Sequence, residues 1–103
     1  MYEINFYVPA DHAQSVKSAM FRAGAGKIGK YEQCSFEVSG TGQFSPTEGA
    51  TPFLGKIGSL ERVNEVKIEM VCEKAVIREV VLALKNAHPY ETPAYHVLEC
   101  LDF

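Results

Sequence analysis

Residues 88–95 carry the densest group of chemically useful side chains, His-Pro-Tyr-Glu-Thr-Pro-Ala-Tyr. An imidazole, a carboxylate and two phenols stand here with two prolines that restrict the backbone. His88 and Glu91 are residue types that ligate divalent metal ions, so the stretch predicts a metal contact at this pair. Since a closed site needs about four ligands, His12, a cysteine or a second subunit would have to complete it. The alternative is a rigid connector in which Tyr90 packs and His88 bonds to carbonyls.

A glycine-rich turn at residues 24–31 reads Gly-Ala-Gly-Lys-Ile-Gly-Lys-Tyr and contains both GxGxxG and GxxxxGK. Both phosphate motifs need a strand before the glycines and a helix after them, because the helix N-terminus supplies the amides. The expected context here is the reverse, and Tyr31 stands where Ser or Thr would hold magnesium. The turn therefore predicts a helix C-cap, with an anion held by backbone amides and nearby lysines as the other interpretation. The candidate ligand contacts are Gly24, Gly26, Lys27 and Gly29, together with Tyr90 of the later segment.

No motif of an independent enzyme is present. HExxH, GxSxG and CxxC patterns are all missing, and the cysteines are Cys34, Cys72 and Cys100. This usage predicts free thiols in a reducing compartment and hence a cytoplasmic protein. The first residues lack the basic and long apolar regions of a signal peptide. The sequence indicates a non-catalytic protein.

The composition is that of one globular domain spanning residues 1–103, with 47% hydrophobic and 22% charged residues. The formal net charge of −3 argues against nucleic acid and anionic membranes as partners, because both favour a positive surface. No apolar run reaches the roughly 18 residues of a membrane span.

Alternating apolar residues predict strands, and apolar residues at helical spacing predict helices. His88 follows the second helix, where a cation is favoured, so its pKa is expected to rise. The order strand, helix, strand, strand, helix, strand predicts an α+β fold of the ferredoxin-like type. Its four-stranded antiparallel sheet has both helices on one face. In chain order the predicted elements are a strand at 2–8, a helix that Asp11 caps and Gly24 ends, a strand at 34–38, a strand at 65–72, a helix at 74–87 and a strand at 94–101.

The second and third strands are joined by a long glycine-rich loop at about 39–58, whose length suggests a functional segment. Phe44, Phe53 and Leu54 lie in it and either pack on the body or face a partner. The parity of Leu60 and Val63 predicts a bulge before the third strand. The open face of the sheet is predicted to carry Glu3, Asn5, Tyr7, Ser35, Glu37, Glu65, Lys67 and Glu69.

Several segments together resemble one known module. They are GAGKIGKYEQCSF, GTGQF at 40–44, GATPFLG at 49–55, LERVNEVKIE at 60–69 and HPYETPAY at 88–95. In this order they are similar to the CutA/PII-like domain inserted in Nif-three (NGG-one-interacting factor three) proteins, here as a free-standing chain. The resemblance implies a ferredoxin-like fold and a homo-oligomer, with a trimer favoured. The dinuclear metal centre of Nif-three proteins belongs to their flanking core, so those ligands are not carried over.

The resemblance and the motifs together predict a small regulatory or binding module of the PII/CutA-like type. It would use the 39–58 loop and clefts between subunits for a small molecule or a protein. The alternatives are a divalent metal-ion binding protein through His88 and Glu91, and an accessory subunit of a Nif-three-like metal-dependent enzyme.

Overall fold

Four strands form one antiparallel sheet in a computed structural model that describes all 103 residues. The strands are β1 (Tyr2–Pro9), β2 (Phe36–Phe44), β3 (Glu61–Cys72) and β4 (Tyr95–Glu99), in the spatial order β2-β3-β1-β4. The helices are α1 (Ala13–Arg22) and α2 (Ile77–Ala87), each preceded by a short 3-10 turn. This is the predicted ferredoxin-like arrangement, with β4 paired to β1 as the topology requires. No helix is long and apolar enough to cross a membrane.

The core lies between the helices and one face of the two central strands. Alternate residues of β1 and β3 point into it, and Ile4 pairs with Met70 and Phe6 with Ile68 across the ladder. Because strand side chains alternate between faces, the other residues of β1 and β3 form the open face. The buried core comprises Ile4, Phe6, Val8, Ala13, Val16, Met20, Ala25, Val66, Ile68, Met70, Cys72, Val80 and Leu84.

The two ends of α1 differ from each other in how well the sequence predicted them. Gly24 ends the helix as expected, with a φ of +113° and its N–H donating to Phe21 O at 3.0 Å. The Ala25 N–H donates to Met20 O at 3.1 Å, which completes a Schellman motif. The predicted Asp11 N-cap is wrong, because Asp11 lies in the 3-10 turn and no side chain caps α1.

The orientation of β2 corrects the predicted open face. Phe36 pairs with Glu69 and Val38 with Lys67, so both apolar side chains lie on the open face, 65% and 51% exposed. Glu37 lies on the helix side, where its Oε1 is 2.7 Å from Lys17 Nζ. β2 is an edge strand, and an edge strand needs no apolar face when other elements cover the core.

The hairpin formed by β2 and β3 is longer than predicted. β2 continues to Phe44, so the connection covers residues 45–60 and not 39–58. β3 starts at Glu61 and pairs with β2 without interruption, so the bulge predicted near Val63 is absent. The hairpin extends beyond β1, which ends opposite Glu65. At the other edge, β4 is shorter than the predicted 94–101.

Candidate functional site

A cleft of about 240 Å³ opens where the β2–β3 hairpin, the 45–60 connection and the 88–94 segment meet. Phe44, Phe53 and Leu54 form apolar walls, and Tyr7, Glu65 and Tyr90 supply polar atoms. A concave, mainly apolar pocket with a few polar groups is the usual form of a small-ligand site. Phe53 packs the connection against His12 and Tyr90, and Phe44 and Leu54 line the cleft with it.

Tyr90 is the centre of the aromatic cluster in the cleft. Its ring centroid lies 5.8 Å from Phe44, 6.3 Å from Phe53 and 5.0 Å from His88. The rings are tilted, a geometry that favours attraction between aromatic edges and faces. The cluster fastens the end of β2, the connection and the segment after α2 to one another.

His88 is buried and uses both of its ring nitrogens on the protein backbone. Nε2 lies 2.7 Å from Tyr7 O, just beyond the last pair of the β1–β4 ladder, and Nδ1 accepts the Tyr90 N–H at 3.1 Å. A carbonyl only accepts and an N–H only donates, so these contacts define a neutral imidazole protonated at Nε2. Burial lowers the pKa of His88 and outweighs the opposing effect of the bond to Tyr7. The rise in pKa expected from the helix end is therefore wrong.

Glu91 holds the connection in place. Its two carboxylate oxygens accept the Thr51 N–H at 3.0 Å and the Thr51 Oγ–H at 2.8 Å. The two hydrogen bonds form a clamp between residues that lie 40 positions apart in the sequence. The Glu91 carboxylate is thus bonded to Thr51, and the His88 ring is bonded to the backbone.

The metal contact predicted at His88 and Glu91 stays a prediction, which the hydrogen bonds of the two side chains constrain. The donor atoms of His88 and Glu91 already bind other groups, and no group of three or more His, Cys, Asp or Glu side chains could hold an ion. His12, the suggested third ligand, packs edge-on against Phe53 at 5.6 Å. A metal ion at this pair would have to displace the contacts that position the 88–94 segment.

The sequence did not predict that Tyr90 and Glu65 lie together in the cleft. The Tyr90 hydroxyl oxygen is buried and makes no hydrogen bond of good geometry; burial, followed by the charge of the Glu65 carboxylate and its approach to the hydroxyl, raises the pKa of this phenol. The half-buried Glu65 carboxylate lies across Gly42 on the neighbouring strand, where a methyl group would overlap it. A glycine inside a strand marks such a close approach, and Gly42 is the signal in the sequence that could have pointed to it.

Most of the amides in the glycine-rich turn donate hydrogen bonds to backbone carbonyls. Gly26 N–H donates to Val71 O at 2.8 Å, and the amides of Gly24 and Ala25 complete the helix cap. Gly29 takes a φ of +57° in the tight turn between Ile28 and Tyr31. The amides of Gly24, Ala25 and Gly26 are therefore already bonded within the protein, and an anion contact at Gly29 stays a prediction.

Lys27 lies in a second depression, which has a volume of about 260 Å³ and also contains Arg22 and Glu32. This depression is separate from the cleft beside Tyr90, so the structure does not bring the candidate ligand residues of the turn together with Tyr90. An anion contact at Lys27 stays a prediction.

Removing the Tyr90 hydroxyl is expected to stabilise the unliganded protein. Tyr90→Phe deletes a buried oxygen that makes no hydrogen bond of good geometry, and we expect the free energy of unfolding to rise by about 1 kcal/mol. Urea denaturation measures the difference, with Tyr31→Phe, at a side chain 76% exposed, as the neutral control. A loss of stability in Tyr90→Phe would mean that the hydroxyl has a partner.

Weakening the Glu91 clamp is expected to loosen the connection without unfolding the domain. In Glu91→Gln the charge is lost, so both bonds to Thr51 weaken, and the bond at Thr51 Oγ has to reverse its direction because the amide nitrogen only donates. We expect faster amide hydrogen exchange in residues 45–60 and a loss of at most about 1 kcal/mol in stability, since the pair is exposed. Glu48→Gln in the same connection is the matched control. Equal exchange in both variants would contradict the clamp.

Comparison with curated proteins gives relatives of much greater length. The chain is 48% identical over 91 residues to a "GTP cyclohydrolase 1 type 2 homolog" of Mycobacterium leprae, covering 88% of this chain and 24% of that protein. A protein of the same name from Halalkalibacterium halodurans is 47% identical over 95 residues, covering 92% of this chain and 26% of that protein. The chain thus spans about a quarter of these relatives. No family model matches it.

Solved structures give the same assignment. A Bacillus cereus protein related to NIF3 superposes with a TM-score of 0.81 at 43% identity, over 94% of this chain and 24% of that one. CutA1 from Pyrococcus horikoshii superposes with a TM-score of 0.71 over 100% of this chain and 86% of that one, and at 16% identity it shows the shared fold alone. The resemblance predicted from the sequence is therefore confirmed, since the chain is similar over most of its length to about a quarter of a protein related to NIF3 and has the ferredoxin-like fold of CutA.

Proposed function

We propose that this chain is a non-catalytic binding module of the PII/CutA-like type, which takes a small ligand in the cleft beside Tyr90. The observation that carries this proposal is the buried Tyr90 hydroxyl, which makes no hydrogen bond of good geometry and approaches only the unpaired Glu65 carboxylate, in an aromatic-walled cleft. Unsatisfied buried polar groups are rare and costly, and they concentrate where a function requires them. The Glu91 clamp supports the proposal, since it holds one wall of the cleft in place.

Isothermal titration with divalent metal ions, nucleotides, small anions and small heterocycles tests this function. We expect at least one class to bind, with loss of binding in Phe53→Ala, which removes part of one wall. Retained binding in Phe53→Ala would place the ligand elsewhere. If no compound of the panel binds, the small-ligand function is wrong and protein docking is the remaining proposal.

A divalent metal ion at His88 and Glu91 is the alternative ligand carried over from the sequence. Zinc and copper in the same titration examine it, with His88→Ala and Glu91→Ala expected to abolish uptake if this pair binds the ion. Unchanged stoichiometry in both variants would end this alternative.

We further propose that the module works as a homo-oligomer, with a trimer favoured, and in the cytoplasm. The CutA-like fold and the exposed Phe36 and Val38 on the open face support assembly, and the three unpaired cysteines support a reducing compartment. Light scattering is expected to give three times the 11.4 kDa of one chain. A monomer would overturn the assembly.

The lengths and names of the relatives favour a second candidate, an accessory part of a metal-dependent enzyme. Proteins named "GTP cyclohydrolase 1 type 2 homolog" are about four times as long as the matched region. Under this proposal the chain alone has no turnover of GTP with any divalent metal ion, and a partner is recovered by pull-down. If the purified chain turns over GTP, the proposal that it is non-catalytic is wrong.

A further inference from the structure

The charges around the cleft restrict the ligand that it could take. Glu65 and Glu91 are its charged lining residues, and no lysine, arginine or histidine lines it. Glu91 is satisfied by Thr51, but Glu65 makes no ion pair, because Lys67 on the same strand pairs with Glu69 at 3.3 Å, and the polar group beside the Glu65 carboxylate is the neutral Tyr90 hydroxyl. The cleft therefore holds one half-buried carboxylate without a counter-charge.

The aromatic walls also restrict the shape of the ligand. Phe44 and Phe53 flank the Tyr90 ring, and Tyr7 lies on the β1 side of the same cleft. Flat apolar walls favour a flat ligand, and the negative faces of aromatic rings attract cations. An anionic ligand would instead meet the unpaired Glu65 charge with no compensating base.

Resting on the proposed binding function, we propose that the cleft selects a planar cation of the amidinium or guanidinium class, whose N–H groups Glu65 accepts. A carboxylate accepts two parallel N–H bonds from such a group, which gives both strength and orientation. The Tyr90 phenol stays protonated because its pKa is raised, so its hydroxyl can donate to one Glu65 oxygen and orient the carboxylate toward the ligand. The cleft then discriminates against phosphate-bearing molecules.

Three probes of one shape and different charge test this proposal. Isothermal titration of the full chain with benzamidine, benzamide and benzoate is expected to show binding in the order cation, neutral amide, anion, with no heat from benzoate. Glu65→Gln keeps the shape of the side chain and is expected to weaken benzamidine binding about ten-fold or more. Gly42→Ala, which pushes the Glu65 carboxylate aside, is expected to do the same. Glu48→Gln is the matched control and leaves the affinity unchanged.

The outcomes separate this inference from the proposed function. Benzoate binding as tightly as benzamidine, or benzamidine binding that Glu65→Gln leaves unchanged, would overturn the cation class. If the three probes give no heat while another ligand binds and requires Phe53, the ligand class is wrong and the binding function stands. If nothing binds at all, both fail. Thermal unfolding of each variant checks that the fold is retained.

Discussion

His88→Ala is expected to lower the free energy of unfolding by about 2–4 kcal/mol at pH 7.5. The substitution leaves Tyr7 O and the Tyr90 N–H without their partner and empties the space of a buried ring. It also releases Tyr90, the centre of the aromatic cluster, so the cleft is expected to lose its shape. Urea denaturation measures the stability, with His96→Ala at an exposed position as the control, expected to change it by less than about 0.5 kcal/mol.

The same histidine gives the protein a defined dependence on pH. Burial lowers the pKa of His88 below the ordinary value of 6.5, so between the folded pKa and 6.5 the unfolded chain binds more protons. The contribution of His88 to stability is therefore complete above about pH 6.5 and is lost as the pH falls through the folded pKa. Protonation also removes the Nδ1 acceptor of the Tyr90 N–H. In His88→Ala the loss of stability between pH 7.5 and pH 5 is expected to be smaller than in the wild type.

The difference between the wild-type and His88→Ala stability curves isolates this effect, because the other titrating groups are common to both proteins. Parallel curves from pH 7.5 to pH 5 would show that His88 titrates normally and that its two backbone contacts do not depend on a neutral ring.

Phe6→Ala is expected to lower the free energy of unfolding by about 3–5 kcal/mol, whereas Phe36→Ala costs less than about 1 kcal/mol. Phe6 is fully buried on the core face of β1, and its loss leaves a cavity. Phe36 is 65% exposed on the open face of the edge strand. Both variants remove the same ring from a strand, so denaturation of the pair compares burial alone. Equal losses would mean that β2 has the opposite register, with Phe36 in the core.

Phe6 and Phe36 show what strand periodicity can and cannot predict. In β1 and β3 the alternating apolar positions are buried from Ile4 to Val8 and from Val66 to Cys72, because both helices cover the central strands. In β2 the same alternation placed Phe36 and Val38 on the wrong face. Periodicity reports that two faces differ, but the pairing with β3 decides which face meets the helices, and a shift of one residue would reverse it.

The candidate site divides in a similar way. The importance of the His88, Tyr90 and Glu91 segment was visible in its residue types, and the rigid connector was one of its two interpretations. The partners of these residues were not visible, since Tyr7 and Thr51 lie 81 and 40 positions away from the residues that contact them. Glu65 was assigned to the open face, but its contact with Gly42 and its place in the cleft were not predicted.

Local pattern was thus enough for the order of strands and helices, the core face of the central strands and the glycine that ends α1. These features follow from alternation, helical spacing and backbone conformation, which act within a few residues. The lining of the cleft, the neutral state of His88 and the use of Glu91 on Thr51 emerged only in the folded molecule. Each depends on burial and on hydrogen bonds between distant segments, and these energies exist only after the chain has packed.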